Sequence, residues 1–311
     1  MSKQGTMKNR SGSSDGQLLA KPSAMNMKDS FSSRPVVTMG WHPDIPDCRD
    51  WLISDDKIQA TLKDTNTSLH GSGGIPDLVD HRRNCSVVED QGRLGSCTAQ
   101  AVVGLMEYMM KMGMTEHMEG SRLFVYKVTR RLQGTTGDSG AHLRTAMQAV
   151  VLFGIPPEKH WPYITENYEN EPDAFLYAYA SNYQALRYVR LDPRSLSPDE
   201  ILDQIKRVLA SGFCVVFGFS VYSSLTWSAN IPFPKEDDTL RGGHAVMAVG
   251  YDDNHEYEGN NVPSLIIRNS WGPSWGDSGY GYLPYEYVLA GLARDFWTCF
   301  KWEWINNAYF K

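Results

Sequence analysis

The chain has 311 residues, of which 41% are hydrophobic and 21% charged, and its formal net charge is −6. That length supports one large or two medium domains with a substantial core, in the balance ordinary for a soluble globular protein. The acidic surplus excludes nucleic acid and an anionic membrane as expected partners, and no apolar run is long enough for a membrane span. Met1 to Ala20 is basic and polar without an apolar centre. No Sec-type signal peptide is read there, which points to a cytoplasmic or non-classically exported protein. The five cysteines (Cys48, Cys85, Cys97, Cys214 and Cys299) are odd in number, and none belongs to a C-x-x-C pair. A zinc cage and a dense disulfide framework are therefore not expected, no metal or other cofactor is read, and one disulfide with unassigned partners stays open.

In chain order, residues 1 to about 34 are rich in Ser, Lys, Gly and Met without periodicity, and read as disordered. Pro35 to Ile53 carries Val36, Val37, Trp41, Ile45, Trp51 and Leu52, punctuated by Pro43 and Pro46. It reads as an extended segment too apolar to be left in water, lying against the body of the protein. Thr65 to Gly74 is a flexible linker by composition. Thr98 to Met112 is apolar nearly all round, with Gln100, Glu107 and Lys111 sharing one narrow face, and predicts a buried helix with Cys97 at its first turn. Ser121 to Leu132 and Gly140 to Phe153 predict two further helices, the second stopped by Gly154. Ser197-Pro198-Asp199-Glu200 is a capping box that opens a fourth, ending before Gly212. Strands are predicted at Phe213 to Ser220, His244 to Tyr251, Ser264 to Asn269, Gly279 to Leu283 and Thr298 to Ile305. Helices followed by antiparallel strands give an α+β protein in two halves with a cleft between them. The methionines between Met106 and Met118 read as core packing, and Asp252 to Glu256 as a solvated hairpin rather than a calcium loop.

Three stretches carry chemistry. Gln91-Gly92-Arg93-Leu94-Gly95-Ser96-Cys97 sets a thiol at a helix N-terminus, where free N–H groups and the helix dipole favour the reactive thiolate. A cysteine so placed is equally an inert small hydrophobe unless a base stands near it. Gly242-Gly243-His244-Ala245-Val246 puts a histidine in a strongly apolar strand, either as that base or as a core residue satisfied by backbone. Leu265 to Gly272 ends an apolar strand in Asn269-Ser270-Trp271-Gly272. There an amide oxygen is placed to orient an imidazole and a tryptophan to shield the bond.

The order Cys97, His244, Asn269, with 147 residues between the first two, resembles the papain family of cysteine proteases. Gln91-Gly92-x-x-Gly95-Ser96-Cys97 matches the nucleophile motif, and Gly243-His244-Ala245-Val246 the histidine motif. Asn269-Ser270-Trp271-Gly272-x-x-Trp275-Gly276-x-x-Gly279-Tyr280 matches the asparagine motif. Pro76, Val79, Asp80 and Arg82 resemble the start of the mature enzyme, Gly137 to Ala141 its glycine-rich substrate strand, and Trp161-Pro162-Tyr163 its aromatic-Pro-Tyr turn. The resemblance implies a papain-like α+β fold, with the cysteine helix in a helical lobe (about 85 to 200) and His and Asn in an antiparallel, barrel-like lobe (about 201 to 311). Residues 75 to 311 would be the peptidase domain and 1 to 74 an N-terminal pro-segment-like region.

By that resemblance Cys97 attacks a peptide carbonyl as thiolate and His244 shuttles the proton. Asn269 orients His244, and Gln91 with the Cys97 N–H holds the oxyanion, a donor worth about 3 to 4 kcal/mol. Gly140 would pair with the substrate backbone, beside Ala141, His142, Gly243 and Trp271. A pocket for the residue two before the scissile bond would be bounded by His142, Leu143, Gly242 and Ala245. The partners implied are a protein or peptide substrate and the chain's own N-terminal segment. The chain departs from the family at Thr98, where a tryptophan is usual, and at Gly243, where an acid is common. It departs again at Leu94 and Asp138, which stand where many members carry a disulfide. No long helical inhibitory pro-domain is visible. Instead Gly40 to Asp50 resembles a segment upstream in bacterial members, and we expect it either to restrain activity along the cleft or to serve as a surface strap. A silent peptide-binding relative and a cysteine acyltransferase are the alternatives. The first commonly loses one of the four site residues. The second more often pairs histidine with aspartate.

Overall fold

The computed structural model describes residues 38–64, 69, 74–113 and 118–304. The expectations of disorder before residue 35 and of a linker at 65–74 fall outside these residues, apart from positions 69 and 74. The elements run α1 (Asp56–Asp64), β1 (Leu78–Asp80), α2 (Cys97–Gly113), α3 (Arg122–Gln133), α4 (Leu143–Phe153), α5 (Ala174–Ala180) and β2 (Tyr183–Arg190). There follow α6 (Pro198–Ala210), β3 (Val215–Tyr222), β4 (Leu240–Asp252), β5 (Glu256–Tyr257), β6 (Asn260–Asn261), β7 (Ser264–Arg268), β8 (Tyr280–Pro284), α7 (Glu286–Leu289) and β9 (Ala293–Trp304).

The body has two apolar centres. The first joins α2, α3 and α4 to one face of the sheet through residues such as Val102, Leu105, Phe124, Met147, Val216 and Trp297. The second lies on the other face, where Ile205, Val208, Phe217, Val246, Ile267 and Phe296 meet. The sheet is antiparallel, in the order β2-β9-β3-β4-β7-β8, with β1 added to β4. β4 is therefore central, hydrogen-bonded to β3 and β7, and this buries the strand that carries His244.

Local signals explain the helix ends. The Ser121 side chain accepts from Phe124 N–H, Gly154 closes α4 at φ 77°, and Ser197 with Glu200 forms the full capping box. The polar face of α2 turns inward at Gln100 and Glu107, contrary to what solvation alone would favour, while Lys111 is exposed. Glu107 is fully buried, accepting from Ser86 Oγ (2.5 Å) and Gly120 N–H (2.9 Å) and pairing with buried Arg122 (2.9 Å). Residues 140–142, expected as helix, lie outside it: Gly140 takes φ 69°, Ala141 is bridged along its backbone to Trp41, and His142 is the extended residue before α4. The hairpin after Asp252 is present as β5 and β6. α1, β1, α5 and β2 carry too short or too mixed a pattern to stand out in the sequence. None of the five cysteines is joined to another. Among the described residues no group of acidic, His and Cys side chains forms a metal site, and no helix is long and apolar enough to cross a membrane.

Candidate active site

The fold brings Cys97, His244, Asn269 and Gln91 together from four places in the chain. Cys97 is the first residue of α2, and its sulfur is completely buried. Burial pushes the thiol up to about 11, only partly opposed by backbone contacts from Ala245, Gly40, Thr98 and Cys97 itself. The expected thiolate is thus overturned for this state of the molecule: desolvation outweighs the helix N-terminus. His244, next to Ala245 on β4, is also fully buried, and desolvation pushes its imidazole down to about 4 against the hydrogen bond to Asn269. In both groups burial favours the neutral form.

Asn269 follows β7 directly. Its Oδ1 accepts from the Ser270 N–H (2.7 Å), which fixes the amide's orientation, and from His244 Nε2–H (2.7 Å). The other ring nitrogen, Nδ1, is buried with no hydrogen-bond partner. Trp271 lies on the imidazole, with ring centroids 4.5 Å apart, and is itself braced edge-on by Trp275 and in a stack by Trp227. It covers the histidine as expected.

Gln91 is held at both ends. Its Oε1 accepts from Ser270 Oγ–H (2.6 Å) and its backbone N–H bonds the Ser270 carbonyl (2.8 Å). Its Nε2 donates to the carbonyls of Leu94 and Thr38, each at 3.0 Å. Behind the loop, Tyr163 O–H donates to the Gln91 carbonyl and lies 2.5 Å from Ser96 Oγ. Asp138, where many family members carry half of a disulfide, binds the Gly95 N–H (2.9 and 3.1 Å) and the Tyr126 hydroxyl (2.6 Å). A carboxylate clamp ties the loops that a disulfide would join.

Residues 38–42 lie across this centre as a strap. Trp41 N–H bonds the Gly243 carbonyl (3.0 Å) on one side. On the other, Ala141 N–H bonds the Gly40 carbonyl (2.8 Å) and His42 N–H the Ala141 carbonyl (3.1 Å), a parallel pairing. Main-chain pairing thus falls on Ala141 rather than on Gly140, whose N–H turns inward to the Tyr126 hydroxyl (3.1 Å). His142 Nδ1 meets the His42 carbonyl (3.1 Å). Gly40 fits so closely that a Cβ there would stand 1.9 Å from the Gly95 carbonyl oxygen. Trp41, 5% exposed, lays its indole on Gly218 and Gly243, where a Cβ would come within 1.9 and 2.6 Å of it, and donates from Nε1 to Asp295 Oδ2 (3.2 Å). Gly242 sits under Met39. Beyond Trp41, Arg144 pairs with Asp44 (2.5 Å) and Asp50 (2.7 Å), and buried Arg190 with Asp192 (2.9 Å) and Asp295 (3.3 Å).

The model of the papain family cysteine protease matches residues 75–295, and the chain belongs to this family. A peptidase C1-like protein of Acanthamoeba polyphaga mimivirus is 35% identical over 267 residues, 81% of this chain and 83% of that protein. Mouse cathepsin K is 28% identical over 268 residues, covering 84% and 72%. Among solved structures, the cysteine protease xylellain from Xylella fastidiosa superposes with a TM-score of 0.69 at 34% identity, covering 86% of this chain and 97% of that one. The protein is a papain-type cysteine peptidase with the two-part α+β fold of that family.

Sequence reasoning missed Thr38, Ser270 and Asp295 as parts of the site. Ser270 stood inside the quoted motif, and its hydroxyl was the readable signal. Asp295 carried none: acids are depleted in strands, and it enters β9 at φ 65°, a conformation no pattern announces.

Proposed function

We propose that the chain is a cysteine endopeptidase whose cleft is closed, as a zymogen, by its own residues 38–42. The observation that carries this is a peptide carbonyl, that of Thr38, bound on Gln91 Nε2, with the Gly40 backbone on the Cys97 sulfur. A cleft that already binds main chain from both walls is built for an extended peptide.

Once the strap leaves, water and substrate reach the pair. His244 Nδ1, the unpartnered nitrogen, takes the proton of Cys97. The thiolate attacks the substrate carbonyl carbon, and the oxygen gathers negative charge against Gln91 Nε2–H and the Cys97 N–H. The imidazolium gives its proton to the leaving amine, which departs and leaves a thioester. His244 then takes a proton from water, whose oxygen attacks the thioester and releases the acid. Asn269 holds the ring through Nε2, so that Nδ1 stays turned to the sulfur. The strap survives in place for two reasons. The sulfur is met by the backbone of Gly40 while the Thr38 carbonyl is held on Gln91, and burial favours the neutral form of both groups.

Labelling of Cys97 by a peptidyl epoxide, together with cleavage of an unstructured protein, tests the reading. Cys97→Ser is expected to lose on the order of 10⁵-fold or more in turnover; retained turnover refutes it. A chain starting near Ile75 should label and cleave faster than the full chain, and equal rates would remove the restraint.

A further inference from the structure

The side-chain amide of Gln91 is aimed by a peptide bond, and that peptide bond is held by a carboxylate. Gln91 Oε1 is fixed by Ser270, so the two protons on Nε2 have set directions. One serves the buried Leu94 carbonyl (3.0 Å), which leaves the other for the cleft, where it meets the Thr38 carbonyl (3.0 Å). The Leu94 carbonyl and the Gly95 N–H belong to one planar peptide unit. Its N–H edge is met by Asp138, at 2.9 Å from Oδ1 and 3.1 Å from Oδ2. Asp138 is itself braced. Tyr126 O–H donates to its Oδ1 (2.6 Å) and accepts from the Gly140 N–H (3.1 Å). Burial and the carboxylate hold that phenol far above its ordinary range, so it stays a donor. On the other side, Gly137 is fastened through its carbonyl to Arg130 and through its N–H to Glu169. The turn that carries Asp138 therefore keeps its place without the Gly95 bond. The Gly95 N–H, by contrast, has no other acceptor among the described residues.

Resting on the peptidase reading, we infer that Asp138 is a positioning residue for the oxyanion. It sets the Leu94–Gly95 peptide plane, and through that plane the free proton of Gln91 Nε2. A negative charge at the N–H edge also strengthens the carbonyl at the opposite edge as an acceptor, since hydrogen bonds in series polarise one another. The role differs from that of a tie between loops. It acts on one peptide unit, and its loss is felt only where charge develops on the substrate oxygen. Asp138 is exposed, so water replaces part of what is lost. The effect stays below the roughly 10² to 10³-fold that removal of an oxyanion donor itself costs.

The test uses the full chain carrying Trp41→Ala, which frees the cleft, as the parent. A small peptide amide is the substrate, and iodoacetamide is a second probe that needs the thiolate but no oxyanion hole. Asp138→Ala should lower kcat about tenfold, the worth of one hydrogen bond to a charged group. KM and the iodoacetamide rate should each stay within about twofold, because the oxyanion exists only in the transition state. In a Gln91→Ala background the same substitution should lower kcat by less than about twofold, since the donor it aims is gone. A raised KM with kcat kept, slower alkylation, or losses that multiply with Gln91→Ala would make Asp138 a tie between loops and overturn the inference. Thermal unfolding checks the fold. If Asp138→Ala does not fold, Asp138→Asn decides by the same cycle, with a smaller loss in kcat because one acceptor oxygen remains. If the parent cuts no peptide, the peptidase reading falls, and the amide NMR spectrum of the wild-type chain decides the positioning. Asp138→Ala should then shift the Gln91 side-chain amide signals, identified by their loss in Gln91→Ala; unmoved signals overturn the inference.

Discussion

The body and the strap are held by different physics. The body closes around two apolar centres, in which whole aromatic and aliphatic side chains of α2, α3, α4, α6 and the sheet are buried. The strap has one buried anchor, Trp41, and otherwise backbone pairings and charged side chains, while Ile45 farther on is largely exposed. Farther on, α1 is seated in the body by Ile58 and Leu62. On the proposed reading, residues 38–42 lift while α1 stays docked. A cover attached by one side chain and a few polar contacts opens locally, whereas the body, in one cooperative core, must unfold to open.

The sharpest way to break this comparison is one large deletion on each side. Trp41→Ala should remove about 3 to 5 kcal/mol of strap docking, raising the Cys97 labelling rate of the full chain by about 10² to 10⁴-fold. The unfolding temperature should hardly move. Gly40→Ala should open the strap as well, because its methyl group has no space against Gly95. Glu107→Ala should do the reverse. It strands buried Arg122, costing about 3 to 5 kcal/mol of global stability in denaturant unfolding, without speeding labelling of the folded chain. If Trp41→Ala lowers global stability as much as Glu107→Ala does, strap and body are one unit and the comparison is wrong.

Much of this was legible before the structure. The all-round apolar pattern of α2, the capping box of α6 and the strands flanking His244 and Asn269 are local signals, and all came through. The four residues of the candidate site were legible because their motifs put unusual polar residues at the ends of apolar elements. What stayed hidden depends on tertiary burial. The thiol at a helix start reads as thiolate until the strap's backbone seals it. Asp138 reads only as a departure from a family disulfide until its oxygen is seen on Gly95 N–H. β2, with Arg187 and Arg190 inside it, gives no strand signal, and only the fold buries Arg190 among Asp50, Asp192 and Asp295.

On the proposed reading, in which closing the strap desolvates the pair, proton linkage sharpens the comparison further. Between about pH 9, the ordinary thiol range, and the buried value of about 11, the open form sheds a proton that the closed form keeps. Closure should weaken by about 1.4 kcal/mol per unit across that window. The labelling rate of the full chain divided by that of Trp41→Ala should therefore rise from pH 9 to pH 11. On the acid side His244, pushed by burial to about 4, weakens closure as pH falls from 6.5. The ratio should therefore rise again from about pH 6.5 toward pH 4. A flat ratio on the alkaline side would mean that the strap does not control desolvation of the sulfur.

The smallest effect is expected at Arg144, which joins α4 to the strap through Asp44 and Asp50 but is 21% exposed. Partly hydrated ion pairs are worth about 1 kcal/mol or less and are screened by salt. Arg144→Gln should thus raise Cys97 labelling only a few-fold, and less at about 1 M salt than at 0.1 M, because screening has already weakened the wild-type pairs. Trp41→Ala should show no such salt dependence, its loss being apolar area and one shielded hydrogen bond. Equal effects from the two variants would shift the strap's anchorage from the indole to the charges, and opening would then respond to ionic strength rather than to what fills the pocket over Asp295.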